Sequence, residues 1–102
     1  MFGDSRLVAE HFGRNVKRLR LRADLSQEEL SFRADLHRTE IGMLERGIRL
    51  PRLDTIIKVA GGLEVHAGEL FDGLDWRPGQ SVAGAFSAPP LPQPPQRRGR
   101  ED

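Results

Sequence analysis

The stretch LHRTEIGMLERG, Leu36 to Gly47, constrains the fold more than any other part of the chain, because its pattern fits a short helix with one buried side. Leu36, Ile41 and Leu44 fall close to one face at helical spacing, so Arg38, Thr39, Glu40 and Met43 project elsewhere. That second set carries the groups needed to read a DNA groove. Arg forks onto a guanine edge, Glu accepts from the cytosine amino group, and Met or the Thr methyl lies against a thymine methyl. An ordinary surface helix fits the same pattern, so the flanking sequence has to decide.

Just upstream, LSQEELSFRAD carries an unusually complete helix-start signal. Ser26 is the N-cap, Glu29 reciprocates three residues on, and Leu25 with Leu30 forms the hydrophobic staple. Asp35 then stands where the chain must turn sharply. Earlier still, Val8, Phe12, Val16, Leu19 and Ala23 recur at steps of three and four, which predicts a core-facing first helix over about Ser5 to Ala23. Asp24 ends it, since Asp tolerates the left-handed backbone of a helix terminus.

Downstream, Gly47 closes the third helix, and Leu50-Pro51 starts a new segment, because the residue before proline is pushed out of helical angles. Leu53, Ile56, Ile57, Ala60 and Leu63 predict a fourth helix whose end is weakened by Gly61 and Gly62. A last short helix is expected over Ala67 to Phe71, with Leu70 and Phe71 closing the core. The expected fold class is therefore all-α, a compact five-helix bundle over residues 1–75. From 76 to 102 the chain is rich in Pro, and SAPPLPQPPQRRGRED buries too little apolar surface to offset the entropy of ordering, so a disordered tail is expected. That tail is a candidate ligand for a proline-reading protein partner, or a basic arm through Arg97, Arg98 and Arg100. Trp76 either folds back on the core or sits in a partner interface.

A chain of 102 residues supports one small core and no large enclosed active site. With no cysteines, thiolate catalysis and zinc-thiolate sites are excluded, and the composition suits a reducing cytoplasm. His11, His37 and His66 lack metal-ligand spacing, and neither a Gly-rich phosphate loop nor a nucleophilic serine elbow occurs. No enzyme, metal or cofactor is expected. Nor is a membrane partner, because no apolar run is long enough to span a bilayer and MFGDSRLVAEHFGRN lacks the pattern of a signal peptide. The formal net charge of +1 argues weakly for nucleic acid. Its distribution argues better: from Arg14 to Arg52, ten Lys or Arg face six acids, an excess of four around the candidate reading helix.

Two short helices joined by a tight turn, the second with outward polar groups, form a helix-turn-helix pattern. From Phe12 to Phe71 the chain resembles the phage-repressor (Cro-like, xenobiotic-response-element) helix-turn-helix family. FGRNVKRLR resembles its first helix, LSQEEL the start of its second, IGMLERG the end of its reading helix, and LPRLDTIIKVAGGLEVHAGELF its last two. The resemblance implies a lambda-repressor-like domain that binds double-stranded DNA and regulates transcription as a repressor or activator. Restriction-modification controller proteins and antitoxins are among its subtypes. It also implies roles residue by residue. Gln27 matches a phosphate contact, Arg38, Thr39, Glu40 and Met43 match base-reading positions, and Arg20 with Glu45 matches a partly buried ion pair that holds the reader. Arg46, Arg49 and Arg52 are further candidate phosphate contacts, and so is His37, whose contact would strengthen on protonation.

The chain departs from the family pattern at Asp24 and Asp35, where turn glycines are usual, and at His37, Arg52 and His66, where Ser or Thr caps are usual. Each missing cap forfeits on the order of 1 kcal/mol. A homodimer is expected, because one short helix reads too few base pairs to select a genomic site; Leu70, Phe71 and Trp76 are its candidate interface. The alternative in a different class is a protein-interaction module, antitoxin-like, whose same helix surface binds a protein while DNA binding is weak or lost.

Overall fold

The computed structural model describes residues 3–79 and 84–88. Four α-helices run in order: α1 (Gly3–Arg22), α2 (Gln27–Ala34), α3 (Arg38–Glu45) and α4 (Leu53–Leu63). A 3-10 helix, Ala67–Phe71, takes the place of the expected fifth α-helix. Phe12, Val16, Leu19, Leu30, Ile41, Leu44, Val59, Ala60, Leu63 and Leu70 form one buried cluster, so every helix contributes to a single core.

Local chemistry sets the boundaries. Ser26 Oγ accepts from the Glu29 amide at 3.0 Å, and Glu29 Oε1 accepts from the Ser26 amide at 2.7 Å, which satisfies two otherwise orphaned donors at the start of α2. Asp24 and Asp35 both adopt left-handed backbone, with φ of 60° and 57°, as expected of aspartates standing at turn-glycine positions. After Asp35, the Leu36 amide donates to Ser31 O at 2.9 Å, closing the turn between α2 and α3. His37 and Arg52 stand at the N-caps of α3 and α4 with no side-chain cap hydrogen bond.

Several expectations need correction. Ala23 lies beyond the end of α1 and is exposed, because the chain already turns at Asp24. In α4 the buried residues are Thr55, Val59, Ala60, Gly62 and Leu63, while Leu53 and Ile57 stand 74% and 61% exposed. Of the five apolar residues that predict this helix, Ala60 and Leu63 are buried and Ile56 packs against the core, while Leu53 and Ile57 lie off the buried side. Gly61 and Gly62 lie within the last turn of the helix, which Glu64 ends in left-handed backbone at φ 59°. At Gly62 a Cβ would stand 3.0 Å from Leu30 Cδ1 and 3.3 Å from Ala34 Cβ, so the glycine lets α4 approach α2 closely.

Beyond Phe71 the described residues include a strand pair. Asp75–Arg77 (β1) and Ala85–Ser87 (β2) pair antiparallel, with Trp76 opposite Phe86, and β1 crosses the expected boundary between residues 75 and 76. The two rings meet edge to face at a centroid distance of 4.9 Å. Residues 89–102, with the proline-rich stretch and Arg97, Arg98 and Arg100, lie outside the described residues. Among the described residues no helix is long and apolar enough to cross a membrane.

Candidate nucleic-acid interface

The candidate reading helix is seated by glycine on one side and by a buried ion pair on another. A Cβ at Gly13 would lie 2.2 Å from Leu44 O and 2.7 Å from Glu45 O, so α1 and α3 touch backbone to backbone there. Gly47 has φ 68°, and a Cβ on it would meet Glu10 Cα at 2.7 Å; only glycine satisfies both constraints. Arg20 Nε donates to Glu45 Oε2 at 2.6 Å and Arg20 Nη2 to Oε1 at 3.0 Å, with side chains 0% and 3% exposed. Arg20 Nη1 also donates to Leu25 O at 2.8 Å, so one guanidinium ties α1 to α3 and to the loop before α2.

With Ile41, Gly42 and Leu44 buried, α3 presents its opposite side outward. Arg38 and Thr39 are exposed there, and Glu40 and Met43 are half-buried. Beside them His37, Arg46, Arg49 and Arg52 are all exposed. Two of these cations already have neighbours. Arg49 Nη2 lies 3.8 Å from Met43 Sδ, and Arg52 pairs with Asp54 at 3.2 Å, which dilutes its charge. Gln27 opens α2 half-buried, and its Nε2 donates to Glu45 Oε1 at 3.1 Å. The surface thus brings together polar, forked and cationic side chains along α3 and its flanks, the chemistry of groove and phosphate contact. Among the described residues no cluster of His, Cys, Asp or Glu could hold a metal ion.

Leu70 must be withdrawn as an interface residue, because it is 0% exposed within the core of one chain. Phe71 is 40% exposed, with its ring centroid 6.1 Å from that of Phe12, and Trp76 is half-exposed against Phe86. Sequence reasoning also missed what fastens the C-terminal side of the domain. Buried Asn15 donates through Nδ2 to Leu70 O at 2.9 Å and to Asp72 O at 3.1 Å, while buried His11 Nε2 lies 2.8 Å from Asp72 O. The available signal was two polar residues, His11 and Asn15, four apart on the core side of α1.

Residues 16–70, which contain the end of α1 and all of α2, α3 and α4, match the family model described as helix-turn-helix. The chain belongs to the helix-turn-helix family. Its function is accordingly that of a DNA-binding transcription regulator. This helix-turn-helix protein is similar to control protein C.BamHI of Bacillus amyloliquefaciens, with 45% identity over 62 residues, 60% of this chain and 76% of that one. It is also similar to control protein C.MunI of a Mycoplasma species, 37% identical over 65 residues, 63% of this chain and 88% of the relative. Among solved structures, the restriction-modification controller protein C.AhdI of Aeromonas hydrophila is 38% identical with a TM-score of 0.62. That likeness covers 98% of C.AhdI but 64% of this chain.

Proposed function

We propose that this helix-turn-helix protein is the controller of a restriction-modification system, a sequence-specific regulator that seats α3 in the major groove of double-stranded DNA as a homodimer. The observation that carries the reading is the division of α3 into two sides: Ile41 and Leu44 are locked into the core, while Arg38 and Thr39 face solvent and Glu40 and Met43 are half-exposed. On this reading Arg38, Thr39, Glu40 and Met43 meet base edges. Gln27, His37, Arg46, Arg49 and Arg52 meet phosphates, which fix the position of the helix but carry no sequence information. The protein works in the cytoplasm, with no cofactor.

Dimerisation follows from the size of the reader, since one short helix spans only a few base pairs and two copies place their helices about 10 base pairs apart. With Leu70 buried, the exposed apolar residues of α4 are better supported as the contact: Leu53 and Ile57 stand one turn apart, with Leu50 47% exposed just before them. Footprinting on DNA flanking its own gene tests the function. The expected result is a protected site with two related half-sites; no protected site at any position would remove the DNA reading.

A further inference from the structure

We infer that Glu45 is a positioning residue for DNA binding, holding the Gln27 side chain over Gly42 beside Arg46, so that the buried ion pair presets the phosphate-contacting edge of the interface. The inference rests on the DNA reading above and adds a role for a residue that would otherwise only hold the fold together. Glu45 Oε1 accepts from two donors, Arg20 Nη2 at 3.0 Å and Gln27 Nε2 at 3.1 Å, while Oε2 is taken by Arg20 Nε at 2.6 Å. The carboxylate is therefore fixed by a guanidinium that is itself 0% exposed. A hydrogen bond to a charged acceptor is about twice as strong as a neutral one, enough to select one rotamer of a side chain that is otherwise free at its tip.

The other end of the same amide points to a second residue. Gln27 Oε1 lies 3.7 Å from the point where a Gly42 Cβ would stand, and Arg46 Nη1 lies 3.2 Å from that same point. A side chain at Gly42 would only touch the amide but would crowd the guanidinium, so the glycine leaves Arg46 room beside Gln27 on the surface of α3. Gln27 Nε2 carries two hydrogens, one engaged by Glu45 and one left to donate, and Arg46 supplies the positive charge. A cation beside a fixed neutral donor suits one phosphate of a DNA strand. A carboxylate this near a phosphate would repel it, but Arg20 neutralises Glu45 from the buried side.

A double-mutant cycle on the full chain tests the coupling, using Gln27→Ala, Glu45→Met and the pair together, with the duplex upstream of its own gene at one salt concentration. Met is of similar length but offers no oxygen to accept from Gln27. All are measured at a temperature where circular dichroism shows each variant folded. Gln27→Ala is expected to weaken binding about tenfold in the wild-type background and less than about twofold in the Glu45→Met background. Equal losses in both backgrounds would overturn the inference. Where Glu45→Met does not fold, Gly42→Ala takes its place: its Cβ displaces the Arg46 arm, so binding should fall with no drop in melting temperature, and unchanged binding counts against the inference. The NMR signals of the Gln27 side-chain amide in the free protein give a readout without DNA. They should stand apart from those of solvent-exposed glutamines; coincidence with them would remove the hydrogen bond, and with it the positioning role. If the wild type binds no duplex, the DNA reading fails, while these signals still decide how Gln27 is held.

Discussion

Arg20 and Glu45 form a two-pronged pair, with Nε to Oε2 at 2.6 Å and Nη2 to Oε1 at 3.0 Å, and neither side chain is more than 3% exposed. Desolvation makes such a pair a weak source of net stability, yet removing one partner leaves the other charged and buried at a cost of about 3 to 5 kcal/mol. Glu45→Ala should therefore lower the melting temperature by more than about 10 °C in a domain of this size. Thermal melts followed by circular dichroism check this.

The glycines make a pair of predictions of opposite sign. Gly13→Ala should destabilise the fold and weaken DNA binding, although Ala is the better helix former by about 1 kcal/mol, because its Cβ would stand 2.2 Å from the Leu44 carbonyl oxygen. Gly61→Ala meets nothing within 4 Å and should stabilise the chain by up to about 1 kcal/mol. Denaturant titrations of the two variants give both signs in one experiment.

How much of this was legible in the sequence depended on whether the signal was local. The Ser26–Glu29 cap and the left-handed Asp24 and Asp35 are decided within a few residues, and the sequence shows them directly. The outward set Arg38, Thr39, Glu40 and Met43 follows from helical spacing once Ile41 and Leu44 are buried. In α4 the helix itself and the inward Ile56, Ala60 and Leu63 were legible, but Leu53 and Ile57 are as apolar as a core stripe, and only the packing of Val59 and Gly62 shows that they face outward. Glu64 at φ 59° could not be foreseen either, because two nearby glycines offer the left-handed conformation at lower cost. The Trp76–Phe86 strand pair was invisible for another reason. Strands of three residues are too short to carry a readable periodicity, so nothing marks Asp75–Arg77 and Ala85–Ser87 as partners.

Two leucines test the core against the proposed dimer contact. Leu70→Ala should cost about 2 to 5 kcal/mol of folding stability, since it removes a fully buried side chain. Leu53→Lys, at a residue 74% exposed, should leave the melting of the monomer nearly unchanged and shift sedimentation from dimer to monomer. A Leu53→Lys dimer as tight as wild type would place the interface elsewhere.

The central claim is that the exposed side of α3 reads bases while its buried side and Glu45 only hold and position it. Binding profiles against a pool of randomised operator duplexes, measured on wild type, Arg38→Ala, Glu40→Ala and Glu45→Ala, test it most directly. Arg38→Ala and Glu40→Ala should each relax preference at particular base pairs, by about 1 to 3 kcal/mol per good contact, with melting temperatures close to wild type. Glu45→Ala should lose stability and affinity while preferring the same bases. An Arg38→Ala profile identical to wild type, or a Glu45→Ala variant of full stability with altered base preference, would contradict the account.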